Sequence, residues 1–403
     1  VAEPHASPDI VIVGGGPAGA ALAIALADGA RAITVIEARA TPPRGDTRAT
    51  ALSESSVRLL DALGVWPTLA GDAVPIRTVE VSQQGHYGRT RLRAEDQGVR
   101  ALGQVVAYDA LARALAECAR GVPGVEWLAP AGVTRIDQDP DGVRLAIDGP
   151  DGHTERRARL AVAADGTRSR LREQLGIGVR EYDYGQTAVL LPLDTGGDPN
   201  TGYERFTDEG PMALLPAGGR RRTLIWTLPP DRADAMAALA SDRIAERVAA
   251  RLGRSFGPII PHGPPATWPL KRVEAERGYE GRVALLGNAA RTLHPVGAQG
   301  FNLALRDVCG LAAALESARD PGDGETLAAW SRARRADRWR TRLFTDVLAR
   351  GFVRGGRGLG VVRAGALLGL DSCSIVRDGL AAQTMGLLGG LPRVGNWHLE
   401  RRP

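Results

Sequence analysis

The stretch from Asp9 to Glu37, DIVIVGGGPAGAALAIALADGARAITVIE, constrains this chain more than any other. Ile10-Val11-Ile12-Val13 is apolar and β-branched throughout, which predicts a strand buried on both faces of a parallel sheet. Gly14-x-Gly16-x-x-Gly19 follows at once. Ala18 to Ala27 is rich in alanine and leucine and predicts a helix, Ile33 to Ile36 predicts a second strand, and Glu37 ends it. Gly14 permits the tight turn out of the strand, Gly16 lets the backbone approach a pyrophosphate, and Gly19 lets the helix pack closely on the sheet. Free N–H groups and the positive end of the helix dipole then favour phosphate, and Glu37 is placed to accept from ribose hydroxyls. Strand, glycines, helix, strand and acid in this order indicate a dinucleotide, although the same pattern serves NAD and FAD.

A chain of 403 residues suits two or three domains with real cores. The net charge of +5 is too mild to argue for nucleic acid and favours anionic surfaces such as lipid headgroups. Cys118, Cys309 and Cys373 have neither CxxC spacing nor even pairing, so no disulfide framework and no metal site is expected, and a reducing cytoplasm fits. Val1 to Pro8 does not read as a signal peptide, and no apolar run approaches the roughly 18 residues of a membrane span.

Two further stretches resemble ligand-facing ends of strands, although Asp165-Gly166 in the first, taken alone, reads as simply a turn. In Leu160 to Arg172, LAVAADGTRSRLR, a short apolar strand ends at Asp165-Gly166, and a helical run begins near Ser169. In the other, the apolar strand Val283 to Leu286 runs into GNAARTLHPVGAQGFNLALRDV, Gly287 to Val308. There Pro295 to Gly300 is a loop and Phe301 to Leu315 a helix whose start can stabilise negative charge.

Between these landmarks, Thr41 to Thr50 reads as a loop, with a helix over Ser53 to Leu63. Arg48, at the loop's exit, is either solvated or a cationic contact to the dinucleotide. Val79 to Arg93 suggests a hairpin and Gln104 to Arg120 a helix. Trp127 to Ile147, broken at Asp141-Gly142, suggests a β-meander. Tyr182 to Trp226 reads as antiparallel sheet, Asp234 to Leu252 as a helix and Thr267 to Arg272 as a strand. This middle block reads as a second domain inserted into the first. Beyond about residue 330, six arginines from Arg332 to Arg342 flank Trp330, Trp339 and Phe344. They form either a solvated basic helix or a surface for anionic membrane or a partner protein.

The three marked stretches, in this order and spacing, resemble the class A flavoprotein aromatic hydroxylases, which share the fold of 4-hydroxybenzoate hydroxylase. More narrowly, Gly287-Asn288-Ala289-Ala290, Leu293-His294-Pro295 and Gln299-Gly300-Phe301-Asn302-Leu303 look like the 2-polyprenyl-6-methoxyphenol hydroxylases of ubiquinone biosynthesis. So do Glu204-Arg205-Phe206-Thr207, Ala49 to Ser53 and Gln383-Thr384-Met385-Gly386. Arg291 departs from the His or Gln of many members, and Tyr108 from a commonly polar residue.

The resemblance implies an α/β fold: a Rossmann-like FAD-binding domain over residues 1–75, 100–178 and 273–330. An antiparallel-sheet substrate domain over 76–99 and 179–272 and a helical C-terminal region over 331–403 complete it. It implies FAD held by Gly14, Gly16, Pro17, Ala18, Gly19, Glu37, Ala38, Arg48, Gln104, Asp165, Gly166, Gly287, Asn288, Pro295, Gly297, Gln299, Gly300, Phe301 and Asn302. His294 and Pro295 are the candidate catalytic residues, His294 as a proton-transfer group or simply a residue placed for loop structure. NAD(P)H, binding transiently, reduces FAD; O2 forms a flavin C4a-hydroperoxide; and a polyprenylated phenol is hydroxylated. Such a lipid substrate implies a cytoplasmic protein peripheral to the inner face of the membrane, with pathway proteins as further partners. A hydroxylase of soluble aromatics and a prenyl-lipid flavin reductase on the same fold stay open.

Overall fold

The computed structural model describes residues 8–27, 31–46, 48–85, 89–150, 152–351, 373–388 and 390. Its first sheet has six strands in the order Tyr279–Glu280, Val283–Leu285, Leu160–Ala163, Ile10–Val13, Ile33–Ile36 and Val125–Leu128. All pairings are parallel except at the Tyr279–Glu280 edge. Ile10–Val13 lies in the middle, and the chain leaves it to one side before returning on the other. That is a topological switch point, where open α/β sheets hold ligands at the carboxyl ends of their strands. Val13, Ala163 and Leu285 each end a strand at that edge, so the three marked stretches emerge side by side.

Both faces of this sheet are covered. Ile10, Ile12, Leu160 and Val162 pack under helices Pro17–Ala25 and Gln299–Glu316, with Leu22, Leu305 and Val308 in one core. Val11, Val13, Ala161 and Ala163 pack instead against Val133, Val143 and Leu145 of an antiparallel meander, Gly132–Asp139, Gly142–Gly149 and Gly152–Ala158. Burial on both faces explains the unbroken apolar run of Ile10–Val13. Each such aliphatic side chain contributes about 1.5–3 kcal/mol.

The second large sheet has nine strands. It runs from Arg291–Thr292 through Ala266–Ala275, Val179–Asp194, Arg221–Leu228, Pro211–Pro216, Thr201–Phe206 and Thr78–Gln83 to Arg89–Arg93, with Ile260–Pro261 on its flank. Helices Pro230–Ala237 and Ser241–Leu252 cover one face through Met236, Ile244 and Val248, which pack on Val189, Leu224 and Trp226. A small sheet of Ala49–Ser53, Gly103–Ala107 and Val74–Ile76 bridges the two layers.

Four expectations change in detail. Trp127 belongs to the parallel sheet, not the meander, because Val125–Leu128 extends the ladder beside Ile33–Ile36. Gln104 is in a strand, since Gly103–Ala107 pairs with Ala49–Ser53 before the helix begins at Tyr108. The helix over 234–252 is two helices. The arginine-rich helix, Gly324–Gly351, is not solvated all round: Arg334 and Arg338 are buried against Asp307.

Candidate active site

The glycine turn after Ile10–Val13 is set by contacts as well as by backbone freedom. Gly14 has φ +108°, and a Cβ there would lie 2.3 Å from the Ala164 carbonyl oxygen. A Cβ on Gly19 would lie 1.9 Å from the Gly14 oxygen. Glu37 braces the turn: its Oε2 accepts from the Gly15 N–H at 2.7 Å and its Oε1 from the Arg39 N–H at 2.9 Å. Helix Pro17–Ala25 starts at Gly16 with no side-chain cap, leaving its first N–H groups for a ligand.

The second stretch is tied to the third by Arg172, whose Nη1 donates to the Ala289 carbonyl at 2.9 Å and Nη2 to the Thr167 carbonyl at 3.0 Å. Asp165 Oδ2 accepts from the Leu171 N–H at 3.4 Å, while its Oδ1 is buried without a partner. In the third stretch, Gly287 has φ +58° and an added Cβ would lie 2.9 Å from Ala18 Cβ, so the first and third stretches touch. Helix Gln299–Glu316 also lacks a side-chain cap, and Ala298 before it adopts φ +51°, a conformation rare for a residue with a Cβ. Asn302 clamps this loop, donating to the Ala51 carbonyl at 3.0 Å and the Ala298 carbonyl at 2.6 Å while accepting from the Ser53 N–H at 2.9 Å.

A groove of about 520 Å³ is lined by parts of all three stretches, among them Gly16, Ala18, Gly166, Asn288, Pro295 and Phe301. Its size falls within the range of about 300–1,000 Å³ usual for ligand pockets. A Cβ added at Gly16, Gly166 or Gly300 would meet nothing within 4 Å, so these glycines border open space. Pro17, Gly287 and His294 line it too. Glu37 faces a small adjoining pocket with Gly15, Gly16 and Trp127. Gly14 and Gly19 act by packing, while Ala38 and Gln104 line neither groove nor adjoining pocket.

Arg48 reaches the groove, but its guanidinium is already engaged. It pairs with Asp46 at 2.6 Å and stacks between Tyr108 and Trp268, 5.0 and 4.9 Å from their ring centres.

His294 is buried, and both ring nitrogens are occupied. Nδ1 accepts from the Val296 N–H at 3.1 Å, which places the ring proton on Nε2, 3.2 Å from Gln186 Oε1. Burial pushes its pKa down to about 4, so the ring is neutral at physiological pH. Tyr184 packs edge-on against it and donates to Asp346 of the long helix at 2.6 Å. This geometry suits a pin for the Pro295 loop better than a proton acceptor.

A second cavity, about 160 Å³ and mostly apolar, adjoins the groove. Ala51, Leu215, Ile225, Pro295 and Ala298 line both spaces. Gly297, Gln299 and Asn302 belong to this inner cavity, as does Thr384 of helix Ser374–Thr384. Gln299 Oε1 is buried without a partner. Glu204 projects among these apolar residues, and burial raises its carboxyl to about 7. The sequence reading noted Glu204 only as part of a family string. The available signal is an acid at the period-2 position between Gly202 and Phe206, the face of the strand with no other polar side chain.

Geometry of this kind defines a protein that cradles a dinucleotide beside an apolar chamber, and the comparisons name the class. The chain belongs to the FAD-binding family of aromatic hydroxylases, whose "FAD binding domain" profile matches residues 7–345. Within it, the chain is 37% identical over 358 residues to the ubiquinone hydroxylase UbiL of Rhodospirillum rubrum, covering 85% of this chain and 81% of the relative. It is 30% identical over 390 residues to the 3-demethoxyubiquinol 3-hydroxylase of Escherichia coli K12, covering 94% and 98% respectively. Among solved structures, p-nitrophenol 4-monooxygenase PnpA of Pseudomonas putida DLL-E4 superposes with a TM-score of 0.76 at 19% identity, over 94% of this chain and 98% of that one. The cofactor is FAD. The residues present fit it: uncapped helix starts and open-faced glycines border one groove, and the unpartnered Asp165 oxygen sits between Ala164 and Gly166 of its lining.

Proposed function

We propose that this FAD-dependent monooxygenase hydroxylates the aromatic ring of a polyprenylated phenol on the route to ubiquinone, with NAD(P)H as reductant and O2 as oxidant. The observation that carries this reading is the apolar cavity that shares Pro295 and Ala298 with the cofactor groove. A ring held there abuts the cofactor and is shielded from water by Leu52, Ile76, Leu102 and Val296.

Bound FAD supplies the redox and oxygen-activating chemistry. The chain's residues supply the setting. Gly16 and the start of helix Pro17–Ala25 hold phosphate. The uncapped start of helix Gln299–Glu316 favours negative charge at the groove wall. Neutral His294 fixes the loop that separates groove from cavity, and exclusion of water protects the reactive oxygen species. The nine-stranded sheet, drawn mainly from 76–99 and 179–272 with Arg291–Thr292 at one edge, forms the substrate side.

Among the described residues no helix is long and apolar enough to cross a membrane. Peripheral contact is supported by Trp339, Leu343 and Val347, spaced by four on one helix and 54%, 44% and 56% exposed. Ile375 and Val376 of helix Ser374–Thr384 are also exposed, and Arg332 and Arg335 are exposed with no ion pair among the described residues, which suits anionic headgroups. The full chain is expected to float with anionic liposomes, and Trp339→Glu with Leu343→Glu to weaken this.

The test of function is a mass-spectrometric quinone profile of cells lacking the gene. Accumulation of a polyprenylated phenol one oxygen short, with a fall in ubiquinone, is expected. An unchanged profile contradicts the reading.

A further inference from the structure

Glu204 stands on strand Thr201–Phe206 with Ala213 and Val81 as its cross-strand neighbours. Among the described residues it is the sole charged one lining the 160 Å³ cavity. It has no hydrogen-bond or ion-pair partner among the described residues. The side chain is half-buried, and an unpaired carboxylate on an apolar wall gains nothing from its surroundings. Accepting the ubiquinone-type reading above, we infer that Glu204 is a catalytic residue: its carboxylate accepts the hydroxyl proton of the substrate phenol as the ring is hydroxylated.

The chemistry balances. The phenol O–H bond breaks and a Glu204 O–H bond forms, while the electron pair left on the phenol oxygen enriches the ring for attack on electrophilic oxygen. One oxygen atom bonds to the ring and the other, leaving as water, takes up the proton released by the hydroxylated carbon; the ring regains aromaticity and the Glu204 proton returns to the phenol oxygen. One negative charge is present in the cavity before and after the first transfer, so no second charge is desolvated. A phenol ordinarily ionises near ~10 and an efficient base near the working pH. The elevated carboxyl of Glu204, at about 7, lies between a free carboxylate and the phenol.

Among the described residues no other group competes for the role. Tyr203 is the other titratable residue of the lining, and its hydroxyl accepts the Asp198 N–H at 3.0 Å. Arg205 and Glu80 occupy the opposite face of the sheet, where Arg205 donates to the Arg251 carbonyl at 2.7 Å and Glu80 pairs with Arg91 at 2.7 Å. The walls from strand Ala49–Ser53, loop 295–298 with the first turn of helix Gln299–Glu316, and helix Ser374–Thr384 bring only uncharged side chains: Ser53, Gln299, Asn302 and Thr384 are their polar ones. His294 lines the neighbouring groove with both nitrogens engaged.

The test uses the full chain loaded with FAD and two probes in detergent micelles, a geranylated phenol and its ring-fluorinated analogue. For Glu204→Gln, FAD content is expected to match wild type. Hydroxylation at saturating phenol falls about 100-fold or more with KM little changed. The rise of rate with pH through neutrality disappears, and the more acidic fluorophenol recovers part of the loss. Fluorine NMR of the analogue bound to oxidised enzyme gives a readout without turnover. In wild type the resonance shifts as pH passes through neutrality, and in Glu204→Gln it does not. Wild-type rates in Glu204→Gln, or persistence of that spectral step, overturn the inference. If the Gln variant fails to retain FAD, Glu204→Asp decides: a displaced pH profile is expected, and an unaltered one overturns the role. Wild-type enzyme that holds FAD yet hydroxylates neither phenol instead overturns the functional reading beneath it.

Discussion

Arg291 is bound to Asp307, Nη1 to Oδ2, at 2.6 Å, joining the cofactor loop to the helix that follows it. The same carboxylate receives Arg334 Nε at 2.8 Å and Arg338 Nε at 3.0 Å from the long C-terminal helix, and the side chain of Asp307 is only 4% exposed. Arg306 pairs with Asp337 at 2.9 Å alongside. The unusual arginine at position 291 thus has a structural partner, and the arginine-rich helix is bound to the FAD-binding fold.

Removing this charge is expected to be costly. Burial alone raises the pKa of Asp307, but Arg338, Arg291 and Arg334 more than offset it and hold the carboxyl at about 2. The stabilisation is complete above the ordinary carboxyl pKa of 3.8 and is lost as pH falls through about 2. Asp307→Asn leaves Arg291 and Arg338 without their anion and Arg334 with Asp337 alone, and should cost about 3–5 kcal/mol at neutral pH, measured by urea unfolding. Its stability should also respond less to acid than wild type does.

Glu37 is expected to act twice, as brace for the Gly15 turn and as ribose acceptor. Losing a hydrogen bond to a charged group costs about 1.5–3 kcal/mol. Glu37→Gln should therefore weaken FAD binding roughly 10- to 100-fold in fluorescence titration, with secondary structure unchanged.

Gly14 and Gly16 should fail differently. A Cβ at Gly14 collides with the Ala164 backbone at φ +108°, so Gly14→Ala should lower thermal stability and abolish FAD binding together. A Cβ at Gly16 meets no protein atom within 4 Å, so Gly16→Ala should leave the apoprotein's melting temperature unchanged while reducing FAD content.

His294 should be neutral throughout the physiological range. Its pKa is depressed from 6.5 to about 4 by burial, so its contribution is complete above 6.5 and is lost as pH falls toward 4. Nitrogen NMR is expected to find a proton on Nε2 alone at pH 7. His294→Gln should flatten the stability profile between pH 4 and 6.5.

Much of the cofactor half was legible in the sequence because its signals are local. Ile10–Val13 is a continuous apolar run and Ile33–Ile36 is broken only by Thr34, both buried on both faces, and the glycines between them mark a turn few other residues permit. The inner cavity was less legible. Glu204 gains its character from Leu52, Val296 and Thr384, which lie far away in the chain and meet only in three dimensions. The arginine cluster misled for the same reason. Its buried members are Arg334 and Arg338, four apart on one helical face, but their partner Asp307 sits on another helix. His294 was visible as a candidate, while its engagement by Val296 and Gln186 was not.

The most direct test is to follow labelled oxygen. Purified chain loaded with FAD is given NAD(P)H, 18O2 and a polyprenylated phenol in micelles, and the product is analysed by mass spectrometry. The expected result is one 18O atom in the aromatic ring for each NAD(P)H consumed in coupled turnover. NAD(P)H oxidation that yields only hydrogen peroxide and leaves every phenol unlabelled would contradict the account.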